Sequence, residues 1–178
     1  ITTAVSETDK SGLKTGIFGD VDGDPLVRGV TIASDRRTIA IAAGDLDGDG
    51  RPDLVLSANS TNGGGTSPDP SVVLMNNPAA PGTFLAPREL AESDNLNTAA
   101  LVRDLNGDGA LDLVQATNGL PGMQVFLNRN DGTGSLAAPV IIAGSGKFTR
   151  GAALADLNGD GALDLVAANA SETSQVFL

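Results

Sequence analysis

An all-β fold built from repeated antiparallel units is predicted by three observations in this 178-residue chain. Apolar runs are short and bounded by turn residues, 23 Gly and 9 Pro punctuate the whole length, and one acidic segment returns twice. The length suits one domain with a sizeable core. That core has to be made of Ala, Val, Leu and Ile, because 40% of the residues are hydrophobic but only 3% are aromatic. Five Phe are the only large rings. So turn-dense a composition favours strands over a helical bundle.

The repeat is explicit. Asp45-Leu46-Asp47-Gly48-Asp49-Gly50-Arg51-Pro52-Asp53-Leu54-Val55 returns as Asp104-Leu105-Asn106-Gly107-Asp108-Gly109-Ala110-Leu111-Asp112-Leu113-Val114. It returns again as Asp156-Leu157-Asn158-Gly159-Asp160-Gly161-Ala162-Leu163-Asp164-Leu165-Val166. A small-apolar run precedes each copy, at Thr38 to Ala43, Thr98 to Val102 and Gly151 to Ala155. Leu-Val and an Ala-rich stretch follow it, ending near Asn59, Asn118 or Asn169. A further run comes next, at Ser71 to Met75, Gln124 to Leu127 and Gln175 to Leu178. A fourth follows a Gly/Pro-rich turn, at Arg88-Glu89-Leu90 and Pro139 to Ile142. Runs this short read as strands.

Each unit is thus four antiparallel strands in about 50 residues, which matches a propeller blade. The boundaries fall at 38–96, 97–148 and 149–178, the last being a partial blade. Residues 1–37 fit as another partial blade, since Ser6-Glu7-Thr8 parallels Ser171-Glu172-Thr173 and Gly16-Ile17-Phe18 parallels Gln175-Val176-Phe177. The expected array is a single domain over 1–178 of about three and a half blades, entered at a second strand and left after a third. Incomplete blades leave raw edges. They point to other copies of the chain, or to the rest of a longer one, as partners.

The acidic loops fit a hard cation. Calcium takes six to eight oxygen ligands, and alternating residues at loop positions 1, 3 and 5 can turn theirs to one centre. Position 7 offers a backbone carbonyl, Gly at positions 4 and 6 lets the chain curl through φ > 0, and the position-9 Asp closes the set. The ligands expected in the first loop are Asp45, Asp47, Asp49, Asp53 and the Arg51 carbonyl. In the second they are Asp104, Asn106, Asp108, Asp112 and the Ala110 carbonyl. In the third they are Asp156, Asn158, Asp160, Asp164 and the Ala162 carbonyl. About three structural Ca²⁺ ions are expected, which would bring the net charge of −11 to about −5 and relieve close carboxylate repulsion. Plain Asx turns are the rival reading of one such loop; three in register weigh against it. Magnesium is a weaker rival because it keeps waters and a strict octahedron.

An EF-hand begins the same way but needs Glu at position 12 and two helices. Position 12 is Leu56, Gln115 or Ala167, and the flanks read as strands. Asp20-Val21-Asp22-Gly23-Asp24 reads as a turn, because Pro25 replaces the second Gly and Arg28 the closing Asp.

Other chemistry is narrowed by what the composition lacks. There is no Cys and no His, which removes thiolate or imidazole metal sites and Ser-His or Cys-His nucleophiles. A net charge of −11 argues against nucleic acid, whose phosphates need a basic face. No apolar run approaches the roughly 20 residues of a membrane span, and no leader-type segment is evident. Glu7, Glu89, Glu92 and Glu172 are scattered and read as surface groups. No catalytic residue is expected.

These loops, with their following Leu-Val, resemble those of the FG-GAP and VCBS repeat family, including calcium-binding blades of integrin α-subunit propellers. The likeness runs from about Thr38 to the end and more weakly before it. Gly82-Thr83-Phe84-Leu85-Ala86-Pro87 and Gly134-Ser135-Leu136-Ala137-Ala138-Pro139 echo a second family signature. The resemblance implies a β-propeller with the loop joining the first two strands of each blade, calcium as a structural ion and extracellular residence. A non-catalytic secreted or cell-surface module for adhesion, assembly or binding of a glycan or protein ligand is the leading expectation. A self-assembling filament protein and an accessory propeller of a polysaccharide-active enzyme are the alternatives. Asn59-Ser60-Thr61 and Asn169-Ala170-Ser171 have the form of glycosylation sequons.

Overall fold

A computed structural model describes residues 38–59, 69–119, 121–146, 148–170 and 172–178. The partial unit read over 1–37, with the Asp20–Asp24 segment, lies outside the described residues.

Three antiparallel sheets follow one another along the chain. The first holds β1 (Thr38–Gly44), β2 (Asp53–Ala58), β3 (Val72–Leu74) and β4 (Arg88–Glu89). The second holds β5 (Asn97–Arg103), β6 (Asp112–Thr117), β7 (Gln124–Phe126) and β8 (Val140–Ile141). The third holds β9 (Thr149–Ala155), β10 (Asp164–Asn169) and β11 (Gln175–Phe177). Strand neighbours within each sheet are neighbours in sequence, so every connection is a hairpin. Strands occur where the apolar runs stand, and no helix occurs among the described residues. The fourth strands are shorter than the sequence suggests: β4 and β8 span two exposed residues each.

The register repeats as well. Val55 pairs with Val73, Val114 with Val125 and Val166 with Val176. A bulge or irregularity recurs where β1, β5 and β9 begin their pairing with the next strand. Such a bulge adds local twist.

The sheets stack face to face, the second between the first and the third. Alternation along β6 shows how: Leu113 joins the core shared with the first sheet, and Val114 and Ala116 join the core shared with the third. Side chains in a strand point to opposite faces in turn, so a strand covered on both sides is buried throughout, as β6 is. The core against the first sheet centres on Val55, Val73, Met75, Leu90 and Phe126. Small residues let the first strands of the sheets approach closely. At Gly44 an added Cβ would meet Leu111 Cδ1 and Val102 Cγ1, both at 2.8 Å. Among the described residues the sheets stand in a row, without closing a ring.

A polar seam ties the first two sheets where the strand pattern calls for an apolar contact. Gln115 donates from Nε2 to Ser57 Oγ at 2.6 Å and Ser71 Oγ at 2.8 Å. Asn97 donates to the carbonyls of Ala58 and Ser93 at 3.0 and 3.1 Å. All of these polar side chains are buried; the amide N–H groups are paired, as buried polar groups usually are, whereas among the described residues Asn97 Oδ1 and Gln115 Oε1 meet no donor.

Candidate metal centre

The three acidic loops occupy one topological place. Residues 45–52 link β1 to β2, 104–111 link β5 to β6, and 156–163 link β9 to β10. Each loop winds its backbone round the side chain of its first Asp. Asp45 accepts the N–H of Gly48 at 2.8 Å on one oxygen and that of Gly50 at 2.8 Å on the other. Asp104 takes Gly107 and Gly109 at 2.7 and 2.9 Å in the same way. Asp156 takes Gly159 and Gly161 at 2.6 and 3.0 Å. The glycines at positions 4 and 6 have φ between 76° and 89°, a region that costs other L-residues roughly 1–2 kcal/mol.

Positions 3, 5 and 7 form a second shared ladder. Oδ1 of Asp47, Asn106 and Asn158 accepts the N–H of the position-5 Asp at 3.2, 2.9 and 2.8 Å. Oδ1 of Asp49, Asp108 and Asp160 then accepts the N–H of Arg51, Ala110 and Ala162 at 2.9, 2.8 and 2.8 Å. Those N–H groups set Arg51, Ala110 and Ala162, whose carbonyls the sequence offered as ligands, in the same turn. In the first loop Asp45, Asp47 and Asp49 each bring a carboxylate oxygen within 4.8 Å of the others.

Position 9 stands apart. Asp53, Asp112 and Asp164 open the second strand of each sheet and are buried, at 1%, 0% and 2% exposure. Each holds down its loop by accepting the N–H of position 2: Leu46, Leu105 and Leu157, at 2.8, 2.9 and 2.8 Å. Asp53 and Asp112 use their second oxygen to accept the N–H of Asn76 and Asn128, both at 2.8 Å, just past the third strand. These carboxylates therefore brace the loop from its strand side, and Asp53 lies close enough to the cluster to feel its charge. Burial is the largest cause that pushes its pKa up; the Asn76 and Leu46 N–H groups oppose this, and the charges of Asp47 and Asp45 add to it. In the exposed part of the other loops the backbone wins. Asp104 is held below the usual carboxylate range mainly by the Gly109 N–H, and Asp160 mainly by the Ala162 N–H.

Two residues that the sequence reading passed over complete the frame. Asn128 donates from Nδ2 to the carbonyls of Leu46 and Leu111, at 2.8 and 3.1 Å, and so joins the second sheet to the first loop. Asn76 reaches Pro52 O at 3.4 Å. Their signal was present: each lies two residues beyond its third strand, and each bridges to the echoed signature, at Phe84 and Leu136. A cleft of about 320 Å³ separates the loops, with Asp45, Asp47 and Gly48 on one wall and Gly109, Ala110 and Asn130 on the other. The sequon asparagines hydrogen-bond through their amides: Asn59 Nδ2 to Asn97 O at 2.5 Å and Asn169 Nδ2 to Thr173 O at 2.9 Å. Glu89, Glu92 and Glu172 are exposed and lie outside the loops.

The donor set suits one kind of guest. The three side chains clustered in the first loop, Asp45, Asp47 and Asp49, present carboxylate oxygen, carried on a backbone already curled. Hard divalent cations of calcium's size prefer such a set.

A meander of short antiparallel strands, repeated with an acidic loop between its first two strands, defines this chain as an all-β repeat protein. Its family is given by two sequence matches: an FG-GAP repeat over residues 38–67 and an FG-GAP-like repeat over residues 104–167. The chain belongs to the FG-GAP repeat family. The first match spans the first loop, and the second match spans the other two. No curated protein matches the chain.

Proposed function

We propose that the chain is a non-catalytic, extracellular β-propeller-type module whose three loops hold calcium as a structural ion, serving adhesion, ligand binding or assembly. The observation that carries this reading is the recurrence of one hydrogen-bonded loop frame in three hairpins, with an oxygen cluster at its centre in the first. The Asp, Asn and carbonyl groups named above would hold the ion. Calcium would supply charge neutralisation and would fix the hairpin between the first two strands. Extracellular modules bind calcium at about 10⁻⁴–10⁻³ M, in keeping with the family's usual setting.

The test is a thermal melt with and without EGTA, with calcium counted per chain. An ion bound only by the folded state adds about 2.7 kcal/mol per site at a hundredfold excess over Kd. For a chain of this size that is about 5–10 °C. An unchanged melt on chelation overturns the reading.

One observation favours assembly among these roles. Leu157 and Val176 of the third sheet are 54% and 53% exposed. Their counterparts Leu46 and Val73 in the first sheet are buried against the second sheet. Another copy packing a sheet on this face is the form assembly would take. Sedimentation in calcium, repeated with Val176→Lys, tests it: the chain should associate and the variant should not.

A further inference from the structure

Position 5 of every loop has both carboxylate oxygens engaged, but one of the donors differs. Oδ2 of Asp108 accepts Asn106 Nδ2 at 3.0 Å, and Oδ2 of Asp160 accepts Asn158 Nδ2 at 3.0 Å. The first loop has Asp47 at position 3, with no N–H to give. Its Asp49 Oδ2 is met instead by the Arg51 guanidinium at 3.2 Å, with the two side chains 43% and 30% exposed. The two changes belong together. Four carboxylates and one guanidinium leave the first loop at −3, the same charge as the three carboxylates of each of the others.

We propose that Arg51 is an internal counter-ion that competes with calcium for Asp49 and holds down the affinity of the first loop. The proposal rests on the calcium reading of the loops. In the second and third loops the donor to Oδ2 is a neutral amide, on the residue whose Oδ1 is itself an expected ligand. In the first loop it is a cation, which has to leave Asp49 and then repels the incoming ion. The two functions of Arg51 are separable, because its expected ligand atom is the backbone carbonyl and its counter-charge is the side chain. Replacing the side chain therefore leaves the ligand set whole and takes the loop from −3 to −4.

Site-resolved calcium titration by ¹H–¹⁵N NMR tests this on the whole chain. The amides of Gly50, Gly109 and Gly161 donate to Asp45, Asp104 and Asp156, so each reports on its own loop. An exposed ion pair is worth up to about 1 kcal/mol. Arg51→Ala should therefore tighten the Gly50 midpoint by about three- to fivefold and leave those of Gly109 and Gly161 unmoved. Arg51→Gln, which keeps the length and loses the charge, should behave the same way, and Arg51→Lys should stay near the parent. A Gly50 midpoint that is unchanged or weakened in Arg51→Ala, with all three loops filling, overturns the counter-ion role alone. No response at any of the three glycines overturns the calcium reading and this proposal with it.

Discussion

Gln124-Val125-Phe126 and Gln175-Val176-Phe177 are the same tripeptide at the same place in successive sheets, and they meet different surroundings. In the second sheet the Gln and Phe are buried and the Val half-buried. In the third, Gln and Phe are half-buried and Val is 53% exposed. The strands beside them repeat the contrast: β6 is buried at every residue, whereas β10 opens toward its end. The second sheet has a neighbour on each face, and the third has a described neighbour on one. Burial here is set by what lies beside the strand, a further sheet over the Val and a fourth strand next to the Gln and Phe, and not by the strand's own residues. Loop geometry, by contrast, is the same in both sheets, so it is set by the strand's own residues. Matched substitutions in the two sheets should separate these two sources of stability.

The largest difference is expected at the phenylalanines. Phe126 is fully buried and belongs to the core shared with the first sheet. Deleting a buried Phe side chain costs about 3–5 kcal/mol. Phe177 packs only partly buried against the core shared with the second sheet, and hydrophobic stabilisation scales with the apolar area removed from water. Phe177→Ala should cost about half as much or less. Denaturant melts of the two variants measure this; equal losses would mean that Phe177, on the edge strand of the third sheet, is covered in solution as fully as Phe126.

A smaller split is expected at position 9. The Asp112 carboxylate accepts two backbone N–H groups, from Leu105 and Asn128. Among the described residues Asp164 accepts one, from Leu157. Asp→Asn keeps one acceptor and turns an amide against the other N–H. At Asp112 that leaves a buried donor unsatisfied, at about 1–3 kcal/mol; at Asp164 the amide can face away, and the loss should be under about 1 kcal/mol. Both melts belong in EGTA, so that lost ion binding does not enter the difference.

The contrast also marks what could be read from the sequence. Strands were legible because short apolar runs stand between Gly, Pro and Asn. The loops were legible because their spacing repeats. Gln115 and Asn97 were not: in a strand a polar residue reads as solvent-facing, and only a second sheet with Ser57 and Ser71 opposite makes it interior. Ile41 erred the other way, apolar yet 61% exposed. Position 9 is legible as a member of the expected ligand set because its spacing closes the loop. Its tie to the backbone beyond the third strand depends on a register that spacing within the loop does not encode.

The smallest expected difference, close to zero, tests the other half of the comparison. Gly109 and Gly161 both sit at φ 89°, and an added Cβ at either would meet nothing within 4 Å. The cost of Gly→Ala is then backbone strain alone, roughly 1–2 kcal/mol at a left-handed position. Nothing in that cost refers to the sheet's neighbours. Gly109→Ala and Gly161→Ala should therefore destabilise equally in EGTA, although their sheets differ in burial. If the second-sheet variant lost clearly more, the loop would be held by the stack as well as by its own residues. Asn128, which ties the second sheet to Leu46 of the first loop, would be the side chain through which that extra loss is felt.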